Sequence, residues 1–251
     1  MSADHSRRNG PLKRVLMRGS DLKAEAHGAL IRLGGLALLI GFAIHIFANT
    51  VIKQMPPDDP SADELAAYLT AEAHSWAIVH GMRYIAIVCI AVFASALFAR
   101  TCCLRTVRPI PLGVIGLLGA ILMLTNLMLT NGIETFIFLD DDLASGNSNI
   151  FWALFNTTRV LFTAEVMTWG VFIGGFSAAG WQSASLPKWL TIFGVVPAVF
   201  GILSGAFVVS ILNDGRATLL IDIASLSGLV WFMSAGMFLL IRGDSLPEDS
   251  D

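Results

Sequence analysis

At 251 residues, with 55% hydrophobic and only 14% charged side chains, this chain is too apolar for a soluble globule, where about a quarter of residues carry charge. A mean hydropathy of +0.70 points to lipid as the solvent. The net charge of −3 offers no basic surface of the kind that binds nucleic acid.

Residues 1–28 read as a basic tail containing SRRNGPLK. Its paired arginines loosely match a twin-arginine export signal, but the apolar run that follows starts only near residue 29 and is too long for a cleaved leader. The first predicted span, 29–52, contains GFAIHIFAN, with Gly41, His45 and Asn49 at four-residue steps on one helical face. The loop 53–74 holds KQMPPDDPSADE, whose prolines cannot continue a helix. Ser61 and Glu64 have capping-box spacing ahead of LAAYL, which predicts a short surface helix in this loop, one that could dock a membrane-protein partner. The second span, 75–99, contains WAIVHGMRY and places His80, Arg83 and Tyr84 on one face. Cys89, Cys102 and Cys103 have no metal-site spacing, and the adjacent pair reads as reduced thiols on the cytoplasmic side.

The third span, 111–138, carries Asn126, Thr130 and Glu134 at four-residue steps, with Asn131 beside them. FLDDDLASGNSN separates it from the fourth span, 150–178, which bears Asn156, Arg159 and Thr163 on a stripe and Glu165 further along. SASLPKW leads into the fifth span, 189–212, which Pro197 should kink. NDGR precedes the sixth span, 217–241, with Thr218, Asp222 and Ser225, and residues 243–251 form an acidic tail. Gly34, Gly41, Gly116, Gly119, Gly170, Gly174, Gly201 and Gly205 supply small surfaces for close helix contact. Trp76, Trp152, Trp181 and Trp189 fall near span ends, where interfacial anchors sit.

The fold class is therefore all-α, a polytopic bundle of six transmembrane helices over residues 29–242. Lysine and arginine accumulate in cytoplasmic loops, which orients it. With the N-terminus inside, Arg7, Arg8, Lys13, Arg14, Arg18, Lys23, Arg32, Arg100, Arg105, Arg108, Lys188 and Arg242 lie on the cytoplasmic side, against Lys53 and Arg216 outside. Both termini then lie inside, as in a bacterial inner-membrane protein.

Helical rise places His45 about 10 Å and His80 about 8 Å below the outer surface, in one layer. Intramembrane charges cost roughly 2.5–3.5 kcal/mol each near the centre, so they turn inward, pair or meet water. The expected result is an outward-opening polar cavity gathering His45, Asn49, His80, Arg83, Asn126, Asn131, Glu134, Arg159 and Asp222. Glu165 is the exception, expected past the midplane as a proton carrier or a neutral hydrogen-bonding group.

Three functional classes fit these residues. The first is binding or movement of a small polar solute or proton, with the protein acting alone, as a homo-oligomer or inside a membrane complex. In the second, His45 and His80 ligate a b-type haem in an electron-transfer subunit, since neutral imidazole binds transition metals. In the third, Ser204 within GILSGA serves an intramembrane hydrolase. No HExxH signature and no nucleotide-binding glycine pattern occur.

The segment SLPKWLTIFGVVPAVFGILSG, residues 185–205, resembles the corresponding stretch of an uncharacterised bacterial family of six-helix integral membrane proteins. The likeness extends over residues 159–205, through Leu186-Pro187-Lys188-Trp189-Leu190 and the glycine-punctuated fifth span. Span three departs from that family's arginine- and glutamate-bearing pattern, carrying Asn126, Asn131 and Glu134. The resemblance implies a six-helix fold and a membrane location, and no catalytic residues.

Overall fold

The computed structural model describes residues 10–52, 61–103, 111–139, 148–210 and 217–243. Helix α1 spans Gly10–Phe47 and ends in a π-helical turn, Ala48–Ile52. Helix α2 spans Ala62–Phe98, followed by a second π-turn, Ala99–Cys103. Then come α3 (Pro111–Leu139), α4 (Ser148–Gln182), α5 (Lys188–Phe193), α6 (Val195–Ala206) and α7 (Thr218–Arg242). No strand occurs among the described residues.

Six helical segments are long and apolar enough to cross a bilayer: Glu25–Ile52, Glu64–Cys102, Pro111–Phe138, Asn149–Gln182, Lys188–Ala206 and Thr218–Arg242. Their outward faces are apolar, as lipid requires: Val88, Leu118, Leu219 and Ile241 are each more than half exposed. Each helix packs on its neighbours in sequence, and α7 returns to α1 to close the ring, with α6 lodged between α4 and α7.

The expected short surface helix is absent as a separate element. Ser61 caps α2 itself: its Oγ accepts from Glu64 N at 3.3 Å, and Glu64 Oε2 accepts from Ser61 N at 2.8 Å. From there LAAYLTAEAHSW contains neither proline nor glycine, so the helix runs unbroken into the span. That extension buries Leu65, Leu69 and Trp76 against Ile137 and Phe138 of α3 and Phe151 of α4. Trp76 is consequently not an interfacial anchor. It is fully buried, stacked on Phe138 at 4.0 Å, and its Nε1 donates to Tyr68 Oη at 3.0 Å. Trp181 and Trp189, both more than half exposed, are placed as anchors are.

The fifth span breaks where Pro197 requires it. Proline has no N–H for the Phe193 carbonyl and its ring crowds that group, and the helix divides into α5 and α6 at Gly194.

The glycines sit at helix crossings. A Cβ on Gly175 would lie 2.3 Å from Gly116 N, and one on Gly35 would lie 2.5 Å from Gly236 O. The α3–α4 and α1–α7 crossings thus bring backbone to backbone, which is how packing substitutes for a hydrophobic driving force in lipid. The largest apolar core, including Phe93, Phe172, Phe176, Trp231 and Phe232, fills the bundle interior between these crossings.

At the end of the bundle where α2 finishes, Arg100 is 3% exposed. Its Nε donates to Ser185 O at 3.3 Å and its Nη1 to Gly243 O at 3.2 Å, with Phe238 5.6 Å beneath. One side chain thereby ties α2 to the α4–α5 turn and to the end of α7.

The acidic loops Asp58–Asp59 and Asp140–Asp142, the outermost tail residues, Lys53, Arg105, Arg108 and Arg216 lie outside the described residues.

Candidate functional site

Opposite the Arg100 end, five helices surround a cavity of about 710 Å³. The C-terminal parts of α1 and α3 and the N-terminal parts of α4 and α7 line it, so it lies in the half of the bundle remote from Arg100, and the lining residues nearest those helix ends form its rim. Eight of the ten residues singled out from sequence line it: His45, Asn49, Arg83, Asn131, Glu134, Arg159, Glu165 and Asp222.

An arginine-centred bridge crosses one wall. Arg83 of α2 forms an ion pair with Glu134 of α3 and donates a second bond to Asn49 Oδ1 of α1. Asn49 Nδ2 in turn donates to the His45 carbonyl at 2.7 Å. The Arg83 and Glu134 side chains are only 11% and 8% exposed. Charges this far from water are stable only when paired and hydrogen-bonded, and this bridge supplies both while joining three helices. Arg159 and Asp222 are different. Both are exposed at the rim, and among the described residues neither has an opposite charge within 4.0 Å.

His80 stands behind the wall, 3% exposed. Its Nδ1–H donates to Asn131 Oδ1 at 2.7 Å, and Asn131 Nδ2 donates back to the His80 carbonyl at 3.2 Å. The imidazole lies 5.5 Å from the Trp76 ring and 6.4 Å from Phe138. It does not share a space with His45: His45 lines the cavity and His80 does not. The geometry therefore gives no support to a haem held between the two. Among the described residues no cluster of three or more His, Cys, Asp or Glu could hold a metal ion. Ser204 is fully buried on α6, with its hydroxyl donating to the Gly201 carbonyl at 2.7 Å, and it is not on the cavity wall.

Two further expectations are corrected. Asn126 is half-buried and does not line the cavity. Four-residue steps drift around a helix, and at 3.6 residues per turn Asn126 lies about 70° from the face centred on Met123, Leu127, Thr130 and Glu134. Tyr84 does not share the Arg83 face; it is 40% exposed on the outer side of α2.

Glu165 is not an isolated exception. It is 4% exposed, it lines the same cavity, and its Oε1 accepts from Trp169 Nε1 at 3.2 Å. Trp169 was missed in the sequence, although its spacing of four from Glu165 puts both on one face. The Trp76–Phe138 pair beside His80 had no comparable signal, because Phe138 comes from a different helix, far from Trp76 in the chain.

Compared with known proteins, the chain matches no family model, no curated protein and no solved structure.

Proposed function

We propose that this membrane protein binds a small polar solute or a proton in the α1–α4/α7 cavity and carries it toward or across a bacterial inner membrane, with both termini cytoplasmic and the cavity mouth outward. The observation that carries this reading is the convergence of eight polar side chains from five helices on one space. Bilayer-embedded ionisable groups are expensive, so the collection of Arg159, Glu165 and Asp222 around a cavity, outside the closed Arg83–Glu134 pair, favours a binding or conducting role over a structural one. The excess of lysine and arginine on one side of the spans supports the orientation.

Two measurements test it together. Thr130 lines the cavity and is half-buried. In cells, Thr130→Cys should react with a membrane-impermeant thiol reagent added outside, above the background of the unsubstituted chain. In liposomes loaded with a pH-sensitive dye, wild type should dissipate an imposed proton gradient faster than Glu165→Gln. No labelling and no flux would remove the proposal.

A further inference from the structure

The cavity floor is richer in aromatic and apolar side chains than its rim, and assigning it a ligand rests on the binding role proposed for the cavity. Glu165 is nearly fully buried there, and its carboxyl receives one side-chain hydrogen bond, from Trp169. Among the described residues no cationic nitrogen comes within 4.0 Å of it. Trp169 meets Phe232 edge-on, with centroids 5.4 Å apart at 86°, and Phe232 lies 5.4 Å from Phe42. All three rings line the cavity, next to Ile90 and Met123.

A carboxylate among aromatic rings has a definite preference. The carboxylate attracts positive charge, and the ring faces attract it again through their quadrupoles. Apolar walls reward a ligand whose charge is wrapped in hydrocarbon, and a cavity of about 710 Å³ lies within the ordinary range for drug-sized ligands. A small hydrated ion would leave those walls unfilled, and an anion would meet Glu165.

The other titratable and charged groups on the wall are His45 on α1, Arg83 on α2, Glu134 on α3, Arg159 on α4 and Asp222 on α7. With neutral histidine, the two arginines and three carboxylates leave one negative charge in excess when Glu165 is ionised as a counter-ion. Arg83 is already matched by Glu134. Arg159 is six residues nearer the mouth than Glu165, about 9 Å along the helix. We propose that the cavity floor is a binding site for a lipophilic organic cation, with Glu165 as counter-ion and Phe42, Trp169 and Phe232 as its aromatic wall.

The test titrates tetraphenylphosphonium, and separately the size-matched anion tetraphenylborate, into the purified full-length chain by calorimetry against a detergent blank. The expected result is saturable binding of the cation alone. Glu165→Gln should weaken it about tenfold or more, and Trp169→Ala should weaken it while Trp169→Phe retains it. If Glu165→Gln loses the wild-type elution profile and melting temperature, the two Trp169 variants decide. Equal binding of both ions, no cation binding by wild type, or folded Glu165→Gln binding as wild type does would overturn the inference. Cation failure alongside successful Thr130→Cys labelling would discard this inference and leave the cavity reading intact.

Discussion

Arg83 ties its own helix to two others through one guanidinium, and its removal separates the terms that hold it. Arg83→Ala leaves the Glu134 carboxylate facing a space where its cation stood. Breaking a buried pair from one side costs about 3–5 kcal/mol, whereas replacing both partners with apolar groups is often neutral. Arg83→Ala should therefore melt well below wild type in detergent, and the double variant Arg83→Met/Glu134→Leu should recover most of the loss. If the double variant melts as low as the single one, the bridge is not the reason. Asn131→Leu makes a smaller prediction. It removes both bonds to His80 and takes the Oδ1 acceptor from a buried imidazole N–H, which costs about 1–3 kcal/mol. Its melting temperature should fall between those of wild type and Arg83→Ala.

Helix contacts impose a different kind of constraint. Gly175 lies so close to Gly116 that any side chain must push α3 and α4 apart. Gly175→Val should destabilise the bundle strongly, whereas Gly132→Ala, where an added Cβ meets nothing within 4 Å, should be nearly silent in the same melting assay. The start of α2 is a second test. Ser61→Ala removes the capping oxygen and should cost about 1 kcal/mol, read as faster hydrogen exchange over residues 62–68 with little change deeper in α2. Unchanged exchange there would show that tertiary packing by Leu65, Leu69 and Trp76 alone holds this extension.

The whole bundle has two chemically distinct ends. At one, Arg100 is buried and ties α2, the α4–α5 turn and α7 together through carbonyls. At the other, the ring of helices parts around the cavity, and the long start of α2 packs over α3 and α4. The first end is closed by these hydrogen bonds, and the second holds the cavity. The distribution of basic residues predicts which faces the cytoplasm. Reporter domains that are active only inside the cell should work at both termini, and a reporter inserted at residues 142–145 should work only outside the membrane. An active cytoplasmic reporter in that loop would reverse the orientation.

The number of spans and every titratable member of the cavity wall were legible in the linear chain. Hydropathy is a local property, a helix has a known rise per residue, and a charge in lipid has few places to go. Spacing alone failed where a helix drifts off its own stripe, as at Asn126, and where no breaker marks an end, as from Leu65 to Trp76. Which inward-facing groups meet was decided only by packing. Helical rise alone expects His45 and His80 in one layer, yet His45 faces the cavity and His80 is sealed behind its wall by Asn131, Trp76 and Phe138. Glu165 and Asp222 lie 57 positions apart and reach one space because α7 closes the ring against α1. Local chemistry sets how far into the membrane each group lies; only the rotation and crossing of whole helices, governed by glycine contacts remote in sequence, sets which direction it faces.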